Sequence, residues 1–131
     1  AKFVANTIEK KKNEKCYVTY IMTNGEQIYI GRTSGYGTPE QLVARRYARH
    51  VVRRVLGYGY PIVDRFAYGK EGSWAIRGRE QQYIDYLGGI GNPKVGNVIR
   101  GVARNNVNGY IYYKKSCDYF GVLAPYTGIY R

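Results

Sequence analysis

The segment CYVTYIMTNGEQIYIG, residues 16–31, constrains the fold more than any other stretch of the chain. Two runs of β-branched and aromatic residues flank Asn24-Gly25. That dipeptide tolerates the positive φ angles of a tight hairpin turn, so two antiparallel strands are predicted. A two-residue turn sets Thr23 opposite Glu26, Met22 opposite Gln27, Ile21 opposite Ile28 and Tyr20 opposite Tyr29. Directly opposed residues share a face, so the hairpin would present two tyrosines side by side. Tyr17 lies on the other face in that register. A longer turn changes the register and favours Tyr17.

Helices should follow. Arg32–Gly37 reads as a loop, and Thr38-Pro39-Glu40-Gln41 as a helix start with Thr at the N-cap, Pro first and Gln third. The helix should run to about Leu56, where Gly57-Tyr58-Gly59 stops it. Arg46, His50 and Arg53 then share one face with Val43. From Arg45 to Arg54 there are five Arg, one His and no acid. Residues 60–70 read as a strand and a turn. A second helix should span roughly 75–87, with Ile76, Tyr83, Ile84 and Leu87 as its apolar stripe, although Gly78 weakens it. Residues 95–104 suggest a short third helix, and 110–131 one or two strands with irregular ends. The expected class is α+β: a small central antiparallel sheet, beginning with the hairpin and flanked by helices. Residues 1–15, ending in a basic run, read as a linker or N-terminal extension, and 16–131 as a single domain.

Charge narrows the partners. Lys and Arg number 21 against nine acids, for a net charge of +12. Such an excess favours a polyanion, because each neutralised phosphate releases counterions. A solubility charge or an acidic protein partner would produce it too. Sixteen tyrosines offer rings that could stack on bases, though most belong in strands and core. Cys16 and Cys117 are too few for a disulfide framework and are expected to be free thiols. With a single His, tetrahedral zinc is disfavoured, and any metal should be a hard ion held by carboxylate and water. No apolar run approaches the roughly 20 residues of a membrane helix. The expectation is a soluble domain, or a piece of a longer chain, without a membrane segment or an organic cofactor.

Three features carry chemistry. Glu80 falls four residues from both Ile76 and Ile84, inside the apolar stripe. A carboxylate desolvated there needs a compensating charge, from a metal or from an arginine. Arg46 and His50 lie one turn apart and could polarise one phosphate, although a solvated basic face looks the same in sequence. Tyr20 and Tyr29 are, taken alone, an ordinary cross-strand pair.

The combination is more specific than its parts. Val18-Thr19-Tyr20 and Tyr29-Ile30-Gly31 resemble the two signature tripeptides of the GIY-YIG nuclease family; the second matches outright and the first keeps only its tyrosine. Arg45-Arg46-Tyr47-Ala48-Arg49-His50 resembles the family's Arg-aromatic-x-x-His helix, and Arg79-Glu80-Gln81-Gln82-Tyr83-Ile84 the later helix with its metal-binding glutamate. The resemblance covers about residues 16–100. Gly128-Ile129-Tyr130 spells the first tripeptide literally, but no second tripeptide follows it. The run AIRGREQQYIDYLGG with GNPKVGNVIRG is also similar to C-terminal nuclease domains of bacterial polymorphic toxins, which are delivered into competitors and neutralised by an immunity protein.

The resemblance implies phosphodiester hydrolysis with one Mg²⁺ or Mn²⁺ held by Glu80. It implies Tyr20 as the base or orienter of the attacking water, with Arg and metal charge lowering its pKa. Tyr29 would position Tyr20 or the phosphate, Arg46 would neutralise the phosphoryl oxygens, and His50 would hydrogen-bond the water or the phosphate. An Asn completes the site, Asn97 or Asn92. Arg32, Arg45, Arg49, Arg53 and Lys70 are candidate nucleic-acid contacts. The expected substrate is DNA, with RNA as the alternative because both present the same phosphodiester. The expected partner is an immunity protein, and the expected place of action is the cytoplasm of a target cell after delivery from a producing bacterium. A non-catalytic nucleic-acid-binding module is the competing reading.

Overall fold

The computed structural model describes residues 14–131. Most of the predicted N-terminal extension therefore lies outside the described residues. The sheet is antiparallel, with strands β1 (Cys16–Thr23), β2 (Ile28–Gly35) and β3 (Ile62–Tyr68) in the order β2-β1-β3. Helices α1 (Pro39–Arg49) and α2 (Val51–Val55) connect β2 to β3. Helix α3 (Gly69–Tyr86) follows β3 directly, and α4 (Gly109–Phe120) packs along α3. The molecule is thus the α+β sheet-and-helix arrangement expected.

Alternation along β1 sorts the two layers. Cys16, Val18, Tyr20 and Met22 point to one face, where they pack with Leu42 and Val43 of α1 and with Tyr58. Ile21 joins Ile28 and Ile30 on the other face, against Tyr83 and Ile84 of α3. The sheet is therefore buried on both sides at its centre.

The hairpin turn is longer than the two residues expected. Thr23 pairs with Ile28 and Tyr20 with Gly31, leaving residues 24–27 as the loop. Asn24 closes it: its Oδ1 accepts from Glu26 N at 3.0 Å and Gln27 N at 2.8 Å. Side-chain capping outcompetes the tight turn. The register moves by two residues, so every side chain keeps its face. Tyr20 and Tyr29 become diagonal rather than opposed neighbours, with ring centroids 6.5 Å apart.

The first helix begins as expected. The Thr38 side chain accepts from Gln41 N and Gln41 Oε1 accepts from Thr38 N, closing a capping box. It does not run unbroken to Leu56. The backbone leaves helical values at His50, with ψ of 54°, and α2 restarts beyond it. The second helix starts six residues earlier than the predicted 75, at Gly69.

Two expectations fail. Residues 95–104 form no helix. Instead Lys94 O accepts from Ile28 N at 2.8 Å, Gly96 N donates to Ile28 O at 2.8 Å, and Val95 bridges Ile28 in parallel. The exposed edge of β2 needs partners, and a Gly- and Pro-containing segment supplies them as an extended cover. Residues 110–131 form no strand: Gly109–Phe120 is helical and the rest irregular. The β-like YIYY run was misleading because its burial period is set by α3. Tyr112 and Ser116, four apart, are buried there, and a Cβ at Gly78 would collide with the Tyr112 carbonyl. Gly78 is thus where the two helices touch.

Four consecutive residues of α3 grip four parts of the fold. Arg79 binds Asp64 of β3 with both Nε and Nη2, at 2.8 and 2.9 Å. Glu80 takes Arg32 of β2. Gln81 Oε1 accepts from Val102 N at 3.0 Å. Gln82 reaches Ser116 of α4 with Nε2 and accepts from Leu123 N and Ala124 N with Oε1. Successive helical residues turn by about 100°, so a polar run can serve every side of a buried helix. All four are buried.

Candidate active site

Tyr20 sits at the centre of the site. Its ring, from the middle strand, lies across β2 directly over Gly31, where a Cβ would overlap the phenol carbon and hydroxyl. The final glycine of Tyr29-Ile30-Gly31 is thus the space that lets Tyr20 reach the β2 edge. Gly31→Ala should displace Tyr20, costing about 1–3 kcal/mol by overpacking and lowering any activity that depends on its hydroxyl. Denaturant unfolding with an activity assay checks both; an unaltered protein would mean Tyr20 does not cross β2.

The Tyr20 hydroxyl lies 2.5 Å from His50 Nε2. The break between α1 and α2 delivers this buried imidazole. Tyr29 completes a triangle of rings, 6.5 Å from Tyr20 and 5.6 Å from His50 between centroids. Arg53 stacks on Tyr29 with its guanidinium carbon 4.2 Å from the ring centre, and donates to Gly96 O at 3.0 Å. Arg46, one turn before His50, lines the same cleft as Tyr20, and its charge favours the ionised phenol.

Glu80 arrives from the opposite layer. It is 8 % exposed, and Arg32 Nε donates to its Oε1 at 2.9 Å. Gly101 packs tightly against the carboxylate. A cleft of about 320 Å³ is lined by Tyr17, Tyr20, Tyr29, Arg32, Arg46, Ser73 and Glu80, among others. A second hollow, behind the Arg32–Glu80 pair, adds Arg53, Asn97 and Arg100.

Burial dominates the electrostatics. It pushes the Tyr20 hydroxyl up to about 12, helped by neighbouring Tyr29 and only partly opposed by Arg46. Arg46 charge lowers it as expected, but burial outweighs that pull. Tyr29 is raised by burial too, against the pull of Arg53. Burial lowers His50, as do Arg46 and Arg53, which favours the neutral imidazole. Burial raises Glu80 and Arg32 opposes it. In the Nδ1–H tautomer of His50, Nε2 accepts from the Tyr20 hydroxyl, whose oxygen lone pairs are then left for the cleft.

Asn97 lies at the second hollow, but its amide is occupied. Oδ1 accepts from Ile30 N at 3.0 Å and Nδ2 donates to Ile30 O at 2.7 Å. It extends the backbone cover of β2 by one more pair and fixes the residue before Gly31. Asn92 is in a turn, where its Oδ1 accepts from Lys94 N, and lines neither hollow. Tyr17 lines the cleft from its own face of β1, while Tyr20 alone of the two reaches His50. Of the basic residues, Arg32 and Arg53 line the site. Arg49 is exposed and lines a neighbouring hollow with His50 and Val98. Arg45 donates to Tyr36 O, and Lys70 lies over Trp74; neither lines these hollows.

Comparison with protein-family models, curated proteins and solved structures finds no match. The site is therefore read from its own chemistry. Among the described residues no three His, Cys, Asp or Glu groups gather as a metal cluster. A divalent ion here would take protein oxygen from Glu80 and water for the rest, a shell that Mg²⁺ accepts and zinc does not. The carboxylate of Asp64, 6 % exposed, is consumed by Arg79 and Thr19. Sequence reasoning missed Arg32 as the partner of Glu80, and Ser73. Ser73, Ile76 and Glu80 share a face at i, i+3 and i+7, so a helix started at 69 would have revealed Ser73.

Proposed function

We propose that this protein is a metal-dependent endonuclease of GIY-YIG type, hydrolysing phosphodiester bonds of DNA. The observation that carries the reading is the meeting, over Gly31, of Tyr20, Tyr29, Arg46 and His50 with the buried carboxylate of Glu80 from the other layer. A structural ion pair would account for Glu80 and Arg32. It does not account for a phenol and an imidazole hydrogen-bonded beside them in a basic cleft.

Mg²⁺ held by Glu80 supplies Lewis-acid stabilisation of the leaving oxygen when bound. Arg46 binds and neutralises a non-bridging phosphate oxygen. Tyr20 accepts a hydrogen bond from the attacking water and passes its own proton toward His50 Nε2. A hydroxyl held near 12 does not ionise at neutral pH, so His50 is the proton acceptor and Tyr20 the relay. Tyr29, clamped by Arg53, fixes the ring geometry. Plasmid cleavage with Mg²⁺ that EDTA abolishes tests the activity, and total RNA run in parallel tests the ribonuclease alternative. Salt-dependent binding without cleavage under any divalent ion would favour a binding module. The toxin role, delivery into a target-cell cytoplasm and neutralisation by an acidic immunity protein belong to this proposal. A genomic neighbour encoding a small acidic protein would support them.

The pH dependence has a defined sign. His50 is the chain's single histidine, so NMR can follow it without ambiguity. Its folded pKa lies below 6.5, so the unfolded chain takes up a proton first as pH falls. Its contribution to stability is complete above 6.5 and is lost as pH falls through the folded value. The acid limb of cleavage should follow the same lowered value. A histidine titrating above 6.5 in the folded protein would contradict the relay.

A further inference from the structure

We propose that Arg32 is a placeholder cation for Glu80. It neutralises the buried carboxylate in the free protein, yields it to a divalent ion, and turns its guanidinium to the phosphate that approaches that ion. The inference rests on Glu80 as the metal-binding residue and adds a device that couples metal to substrate.

Two neighbouring ion pairs on α3 differ in construction. Arg79 grips Asp64 through two parallel hydrogen bonds, both side chains are 6–7 % exposed, and Thr19 Oγ1 adds a third bond at 2.8 Å. That pair is locked. Arg32 makes one bond to Glu80, through Nε, and its side chain is 40 % exposed against 10 % for the carboxylate. The residue itself lines the open cleft. A bidentate fork is what makes an arginine–carboxylate pair strong and oriented, and here it is not used.

The pair also stands between two spaces. Arg32, Glu80 and Tyr29 line both the cleft holding Tyr20 and Arg46 and the hollow holding Arg53 and Arg100. Parting Arg32 from Glu80 would join them into one groove with arginines at both ends. Among the described residues no second carboxylate joins Glu80 to share a cation, so a divalent ion and the Arg32 guanidinium would repel each other at the same carboxylate. A buried carboxylate left bare is costly, so one cation or the other must always be present. Exchange satisfies both conditions: the ion takes Glu80, and the released arginine finds its anion on the substrate. Metal and nucleic acid then strengthen each other's binding by the same factor.

Calorimetric titration of the full chain with Mn²⁺, without nucleic acid, tests the exchange in the parent, Arg32→Met, Arg32→Gln and Glu80→Gln. Arg32→Met should bind Mn²⁺ about tenfold tighter, the equivalent of one charge-assisted hydrogen bond no longer broken. Arg32→Gln, which keeps a donor and a folded site if Met does not, should fall between. Binding of a short duplex should tighten on adding Ca²⁺ in the parent. In the Arg32 variants that gain should shrink, with the Ca²⁺-state salt slope lower by about 0.9, one phosphate contact. Loss of Mn²⁺ binding in Glu80→Gln together with unchanged or weaker binding in both Arg32 variants overturns the placeholder and leaves the metal reading standing. Full Mn²⁺ affinity in Glu80→Gln overturns the metal reading itself.

Discussion

Glu80→Gln is expected to fold and to cleave at least about a thousandfold more slowly, the loss of several kcal/mol of charge stabilisation in the transition state. The substitution keeps the shape of the side chain beside Gly101 and exchanges a desolvated carboxylate for a neutral amide. Arg32 loses its anion, but its side chain is 40 % exposed and turns to water. Stability should therefore hold or rise. The sign follows from the folded pKa of Glu80, which burial raises above its ordinary 4.5. In the parent, stability linked to this group is full below 4.5 and lost as pH rises through the folded value. The Gln protein escapes that loss, so its advantage should grow with pH above 4.5. Plasmid nicking and thermal melts across pH read both effects. Full cleavage by a folded Glu80→Gln protein would remove Glu80 from the site.

Asp64→Ala should be the most destabilising single change away from the site, at about 3–5 kcal/mol. The residue lies within β3, and its carboxylate takes two bonds from Arg79 and one from Thr19. Truncation leaves the Arg79 guanidinium buried at 6 % exposure without an anion. Native stability is only about 5–15 kcal/mol in total, so the melting temperature should fall on the order of 10–20 °C. Arg79 precedes Glu80, so activity should fall with the fold rather than ahead of it. Urea unfolding measures the effect. A change under about 1 kcal/mol would mean that the pair is not closed off from water.

Local chemistry was legible where one residue's own bonds decide the structure. The capping box at Thr38 and Gln41 formed as read, because both of its bonds lie within one helical turn. The hairpin was right in its strands and faces and wrong in its loop: the Asn24 side chain captured two backbone N–H groups that a type I′ turn leaves to the strands. Parity survived a shift of two, and so Tyr20 and Tyr29 remained on one face. The misread segments were those whose partners are remote. Residues 94–97 are extended because β2 has an open edge to fill, and residues 109–120 are helical because α3 presents Gly78 and Gln82 to them.

The same division holds for the site over Gly31. The sequence by itself determined its ingredients: the two tyrosines on one strand face, Arg46 and His50 a turn apart, and Glu80 inside an apolar stripe, since each follows from the 2-residue or 3.6-residue period of its element. Only the tertiary structure decided what those groups meet. It broke the helix at His50 and set the imidazole on Tyr20, gave Glu80 to Arg32, occupied Asn97 with the backbone of Ile30, and raised the Tyr20 hydroxyl through burial. Hydrogen-bond partners and desolvation depend on which surfaces come together across the sheet, and that is a property of the packed molecule rather than of any one segment.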